Sequence, residues 1–267
     1  MGLFGDPELY RRGAELRGEI LGRERLNQAL ANEDDLDEYY HLYGHECCYA
    51  QIWSRDALPR LDRALTIAAM LAALGPSSET LRVHTRGCIR AGATRAQLRQ
   101  VLAMVTWYAG VPTGSQATAT IRAALKDVPE AAARERAVNP PSSGQPVDLE
   151  SRGRELRKRV LGEASDRGSA ESDAYKVYAR MRDTHYFGML WSNPDLSLRQ
   201  RALVLIGVIC GSNRLDDAET WFGAALRVGC QRDELEDALL AASLYCGELV
   251  YARVRRALLN VVDGKTA

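Results

Sequence analysis

The chain has 267 residues, 35 Lys+Arg balanced by 35 Asp+Glu, and 46% hydrophobic residues. That is enough for one or two globular domains with a real core, and a neutral balance drawn from 31 Arg and 4 Lys gives no general basic excess for nucleic acid. The longest apolar run, residues 64–75, has about 12 residues, short of the roughly 20 that a membrane span needs, and the first residues carry neither the basic nor the apolar region of a secretory signal, so a cytoplasmic protein is expected, with no nucleic-acid or membrane partner.

In chain order the elements read as helices. Residues 39–49 form the helix leading to Trp53, with Tyr39, Tyr40, Tyr43, His45, Cys47 and Tyr49 placed either to line a pocket or to pack helix on helix. His41 and His45, four apart, share a face, but no third ligand is apparent and no metal is expected. Leu61, Leu65, Ala68, Ala69 and Ala72 recur at helical spacing, as do Leu98, Val101, Leu102 and Val105. Pro59, Pro76 and Pro112 stand at helix starts, and Ser77, Ser78, Thr94 and Ser197 are cap candidates. Leu235, Ala238, Leu239 and Ala242 repeat the pattern late in the chain. No run alternates apolar and polar residues, so the expected class is all-α. The six cysteines form no Cys-x-x-Cys, which removes zinc ribbons and a dithiol redox centre of that kind; they read as small buried hydrophobes.

Residues 128–148 hold four of the nine prolines and a Ser-Ser-Gly, the composition of a linker. The flanks match. Gly13 to Gly22 parallels Gly153 to Gly162. Trp53, Leu58 and Arg63 parallel Trp191, Leu196 and Arg201 at an offset of 138, and Gly92, Leu98, Tyr108 and Gly110 parallel Gly229, Leu235, Tyr245 and Gly247 at an offset of 137. The chain is a duplication. The expected units are residues 1–127 and 149–267, two bundles of about six helices packed as a pseudo-two-fold pair. Arg63 and Arg201, retained in both copies, point to helix packing or a salt bridge between the units.

The first half resembles the carboxymuconolactone decarboxylase family through Arg17, Leu21-Gly22, Ile52-Trp53, Leu58-Pro59-Arg60, residues 63–68, His84, residues 91–94 and residues 108–112. The second half resembles it again through residues 185–191, Arg201-Ala202-Leu203, Val228-Gly229 and Tyr245-Cys246-Gly247. The resemblance implies small all-α subunits that assemble into rings, hence a homo-oligomer, and chemistry without metal or organic cofactor on a small-molecule substrate. The family's named reaction removes CO2 from a lactone that carries a carboxylate. Its alkyl hydroperoxidase members work through a Cys-x-x-Cys that this chain lacks.

The resemblance also implies a site pattern, and the halves divide it. The first half keeps one family histidine, His84, with Glu79 one residue from the acidic position and Cys47, Ser77 and Thr80 at the other places. The second half keeps His185, Arg214 and, as a shorter acid, Asp217, while Trp221 stands where its second histidine belongs. Decarboxylation needs an acid that delivers a proton to carbon and a group that holds the anion. His185, His84 and Asp217 are the expected catalytic groups. Arg214 is the expected carboxylate anchor, with Trp191, Trp53, Tyr43, His45, Glu79 and Tyr186 around the substrate. Arg214 and Asp217, three apart, are also placed to pair with each other. Either one half is a structural partner and the other a remodelled site, or both halves supply one pocket. The expected activity is acid/base chemistry on a small organic acid, lactone or polyketide-like ring: decarboxylation, isomerisation, elimination or cyclisation. The competing expectation is a non-catalytic binding or chaperone-like module.

Overall fold

The structure, a computed structural model, describes residues 5–31, 34–126, 128, 148–163 and 172–264. The expected linker lies outside the described residues except at its two ends. Among the described residues every regular element is helical. The first half runs α1 (Pro7–Leu21), α2 (Arg23–Ala31) and a short α3 (Glu38–Leu42) that continues into a π-helical segment, π1 (Tyr43–Trp53). Then come α4 (Arg60–Leu74), α5 (Glu79–Arg90), α6 (Arg95–Tyr108) and α7 (Val111–Leu125). The second half repeats this order as α8 (Leu149–Leu161), α9 (Asp173–Met181) running into π2 (Arg182–Trp191), α10 (Leu198–Ser212), α11 (Ala218–Arg227), α12 (Arg232–Tyr245) and α13 (Glu248–Val262). Only α2 lacks a counterpart among the described residues. No helix there is long and apolar enough to cross a membrane.

Local chemistry sets the helix ends. Ser78 accepts from the Leu81 N–H, and Thr94 and Ser197 form capping boxes with Gln97 and Gln200. Pro59 directly precedes α4, and Pro112 sits in the first turn of α7, where its missing N–H costs nothing. Ser77 is not a cap; Ser78 holds that place.

At the centre, α4 and α10 are buried on nearly every side, and their apolar residues run all round the helix, as a helix without a solvent face requires. The two pack at backbone distance. A Cβ on Gly207 would lie 2.4 Å from the Thr66 carbonyl oxygen, and one on Gly211 would lie 2.1 Å from that of Met70. Two glycines one turn apart admit an approach that any side chain would block. The outer helices then cross over: α6 of the first half packs on α10 and π2, and α12 of the second packs on α4 and π1.

Buried arginines tie this crossing. Arg63, 1% exposed, donates to Asp237 of α12 at 2.9 Å, and Arg55 reaches the same carboxylate from the solvent side. At the matching place Arg201 donates to Gln100 of α6 at 3.0 Å and to the Leu196 carbonyl. An amide replaces the carboxylate there, and burial pushes the Arg201 guanidinium down to about 10. Both arginines therefore join the units, as their retention in two copies suggests.

Gly211→Val should cost at least about 1–3 kcal/mol in urea denaturation, because the overpacked interface must open. Gly223→Ala on α11, where the nearest atom is the far end of the Arg227 side chain at 3.4 Å, should be neutral or stabilise by up to about 1 kcal/mol. Equal effects would contradict the close packing of α4 on α10.

Candidate active site

The same scaffold builds a site in each half. A Cβ on Gly13 would lie 1.8 Å from the His45 carbonyl oxygen, and one on Gly153 would lie 1.6 Å from that of Asp183. These glycines let α1 lie flat on π1 and α8 on π2. One turn further on stands an arginine, Arg17 or Arg157, aimed at the segment just touched. π-Helical stretches are rare and concentrate at functional sites; here each presents one residue, His45 or Asp183, to that arginine. Across the pair, Trp53 donates its indole N–H to the Tyr245 hydroxyl at 3.0 Å, and Trp191 donates to the Tyr108 hydroxyl at 2.8 Å. Each tyrosine ends a helix of the opposite half.

From there the halves diverge. The first keeps a cavity of about 500 Å³, walled by Arg17, Tyr40, Tyr49, Leu71, His84 and Tyr245 among others. Arg17 Nη1 lies 3.1 Å from His41 Nδ1 and 3.0 Å from His45 Nε2. Its guanidinium carbon stands 5.7 Å from the ring centre of Tyr40 and 6.0 Å from that of Tyr49. Among the described residues it has no carboxylate partner, and its Nε and Nη2 have no hydrogen-bond partner. Burial, the Arg17 charge and His41 push His45 down to about 4, so its imidazole stays neutral beside the cation. His45 Nδ1 is buried without a partner. A metal shared by His41 and His45 would have to displace the guanidinium already bonded to both.

His84 is 4% exposed, stacked on Trp53 at 6.2 Å between ring centres and edge-on to Tyr245 at 5.2 Å. It has no hydrogen-bond partner among the described residues. Burial, and then the charge of Arg17, push it down to about 3. At neutral pH it offers one N–H and one lone pair. Burial also pushes the Tyr49 and Tyr245 hydroxyls well above the usual phenol range and the Cys48 thiol up to about 11. Arg25, at the rim, is paired with Glu79 at 3.2 Å. The inner wall therefore carries one charge, Arg17, set in an aromatic lining.

In the second half the equivalent space is filled. Trp221 replaces His84, stacked on Trp191 at 5.8 Å and edge-on to Tyr108 at 5.5 Å. Tyr186 replaces Cys48 and packs on Trp107 at 4.2 Å. Arg157 donates to Asp183 at 2.8 Å, both buried, so this arginine is neutralised.

These placements set several of the expected site residues apart from the Arg17 cavity. His185 is exposed on π2, its ring 6.3 Å from that of Trp107, and is not on the wall of the Arg17 cavity. Its counterpart Cys47 is likewise absent from the wall of the Arg17 cavity. Arg214 lies in the loop before α11 and donates to the Tyr108 carbonyl at 2.9 Å, closing the end of α6 rather than holding a substrate. Asp217 is exposed at the start of α11, and no ion pair joins it to Arg214 among the described residues. Tyr186 belongs to the filled space of the second half, and Trp191 beside it lines a separate cavity of about 500 Å³ with Arg159 and Asn193. In the open half His84 lines the cavity, Trp53 backs it, Tyr43 stands half exposed at the mouth, His45 lies behind Arg17, and Glu79 stands outside the mouth on Arg25. Arg17 and Tyr245 were not among the expected site residues, while Tyr40, Tyr43 and Tyr49 line the cavity, one of the two readings their helix allowed. The signal for Arg17 was present, since its Gly-x-x-x-Arg spacing recurs at Gly153 and Arg157.

The model of the carboxymuconolactone decarboxylase family matches this chain twice, at residues 44–126 and 177–259. A 4-carboxymuconolactone decarboxylase from Acinetobacter baylyi (strain ATCC 33305 / BD413 / ADP1) is 33% identical over 125 residues, 47% of this chain and 92% of that protein. The nitrosuccinic acid decarboxylase npaB from Metarhizium robertsii (strain ARSEF 23 / ATCC MYA-3075) is 27% identical over 127 residues, 46% of this chain and 88% of that protein. Each relative thus has about the length of one half.

The depressed histidines set a pH dependence. Below about pH 6.5 the unfolded chain takes up protons on His84 and His45 that the folded chain refuses until about pH 3 and 4. Stability attributable to them is therefore full above that pH and lost as the pH falls. Denaturation of His84→Gln between pH 6 and 4.5 should show a slope shallower than wild type by up to about 1.4 kcal/mol per pH unit. An unchanged slope would mean that His84 titrates normally in the fold.

Proposed function

Because the chain belongs to the carboxymuconolactone decarboxylase family, we propose that it is a lyase that removes CO2 from a small organic acid in the cavity of its first half. The observation that carries this reading is Arg17, a guanidinium on an aromatic cavity wall without an acid partner among the described residues, where its twin Arg157 is neutralised by Asp183. Arg17 is half-buried, and a bound carboxylate would give it a counter-ion through a forked hydrogen bond.

Arg17 then keeps Nη1 on the two histidines and turns Nε and Nη2 to the substrate anion. The bond to the departing carboxylate breaks, CO2 leaves, and the electron pair passes into an adjacent unsaturated group. His84, held neutral, donates its N–H to the oxygen on which that charge collects. A neutral imidazole in this role loses no proton to the intermediate. The aromatic walls exclude water and strengthen both contacts. Homo-oligomeric assembly belongs to the same proposal.

The purified chain should release CO2 from 4-carboxymuconolactone, nitrosuccinic acid or a close analogue of either. Arg17→Gln should raise KM and lower kcat/KM by 100-fold or more, the ~10² scale of a lost charged contact. His84→Gln should lower kcat by about 10²-fold. His185→Gln should keep wild-type rates. Loss of turnover in His185→Gln alone would move the chemistry to π2. Calorimetry with benzoate should give one site per chain; two would mean that the second half opens.

A further inference from the structure

Tyr245 is the group on the cavity wall whose proton the structure leaves uncommitted to its nearest partners. Indole nitrogen only donates, so the Trp53 bond at 3.0 Å fixes the Tyr245 oxygen as its acceptor. The Cys48 sulfur lies 3.3 Å from the same oxygen. Because the indole N–H can only donate, the phenol's own O–H turns away from it, toward the Cys48 sulfur, Tyr49 or the cavity that Tyr245 lines. The ring is fixed in place: it ends α12, meets His84 edge-on, and is followed at once by the turn through Gly247, whose φ of 95° suits glycine. Tyr108 has the same helix-end position, the same indole bond from Trp191 and the same following turn at Gly110. In place of a cavity it faces the rings of Trp221 and Tyr186.

We propose that Tyr245, contributed by the second half to the site of the first, is the group that protonates the substrate carbon. This rests on the decarboxylase reading above. When CO2 has left, the electron pair held on the intermediate forms the new C–H bond with the Tyr245 proton. The resulting phenolate is held by the indole N–H and the thiol, with Arg17 on the same cavity wall, and it regains its proton from solvent through the cavity mouth. One proton is taken up and one CO2 released per turnover, with no change of oxidation state at the enzyme. Arg17 and His84 hold the anion; Tyr245 supplies the proton.

The duplication provides an internal control. Tyr245→Phe and Tyr108→Phe remove the same hydroxyl from the same indole, so both should lower the melting temperature by similar amounts. With 4-carboxymuconolactone or nitrosuccinic acid, Tyr245→Phe should lower kcat by about 10²-fold or more with KM little changed, and Tyr108→Phe should match wild type. A Tyr245→Phe enzyme within twofold of wild-type kcat would overturn the proposal. So would a Tyr108→Phe enzyme that falls as far. Benzoate binding, followed by quenching of tryptophan fluorescence, separates this from the wider reading. If wild type releases no CO2 from either acid, the decarboxylase reading fails. In that case the proton-transfer role falls with it; benzoate affinity should be alike in wild type, Tyr245→Phe and Tyr108→Phe, and a loss confined to Tyr245→Phe would make its hydroxyl a binding group instead of the proton donor.

Discussion

The backbone contact between α4 and α10 is the constraint on which everything else rests. Gly207 and Gly211 bring the two central helices together at the Thr66 and Met70 carbonyls. At that separation α12 reaches across to π1, and α6 reaches across to π2. The cross-links that matter all depend on this reach: Arg63 to Asp237, Trp53 to Tyr245, Trp191 to Tyr108. A wider crossing would leave a buried guanidinium without its carboxylate, a penalty of several kcal/mol, and would open the first-half cavity on the side that Tyr245 closes.

One scaffold has been put to two uses. Gly13 and Gly153, Arg17 and Arg157, Trp53 and Trp191 occupy equivalent places, so the difference between the halves comes down to a few side chains. Asp183 in place of His45 converts an available cation into a closed ion pair. Trp221 in place of His84 converts open space into stacked rings. Burial makes both changes decisive. Inside the protein a charge is either answered or left to seek a partner, and a space is either filled or able to admit a ligand.

The sequence disclosed what local chemistry decides. Caps at Ser78, Thr94 and Ser197, helical spacing in α4, α6 and α12, and paired motifs at fixed offsets led to an all-α duplication. What it concealed is tertiary or lies in the π segments. Counting back from Trp191 places His185 at a family position, but the backbone widens through π2 and carries that residue to the surface. Arg214 and Asp217 share a helix face only if a helix covers them, and the chain there is a loop. Arg17 sits in α1 among Leu16, Gly18 and charged residues, with no local mark of the cavity it faces. Tyr245 lies 192 positions from Trp53, a pairing that no pattern within one helix can reveal.

The crossing of α12 onto the first half also bears on how the protein is made. Asp237 and Tyr245 leave the ribosome more than 170 residues after Arg63 and Trp53. Domains usually fold as units, the N-terminal one first, during synthesis. Here the N-terminal unit holds a core arginine that bonds the Arg55 and Leu58 carbonyls but lacks its carboxylate, and an indole N–H that lacks its acceptor, until α12 has emerged. Its early fold is provisional, with the future cavity open on one side and a charged group still hydrated. Completion waits for the last helices, so the half that holds the cavity is the first to be synthesised and the last to be finished.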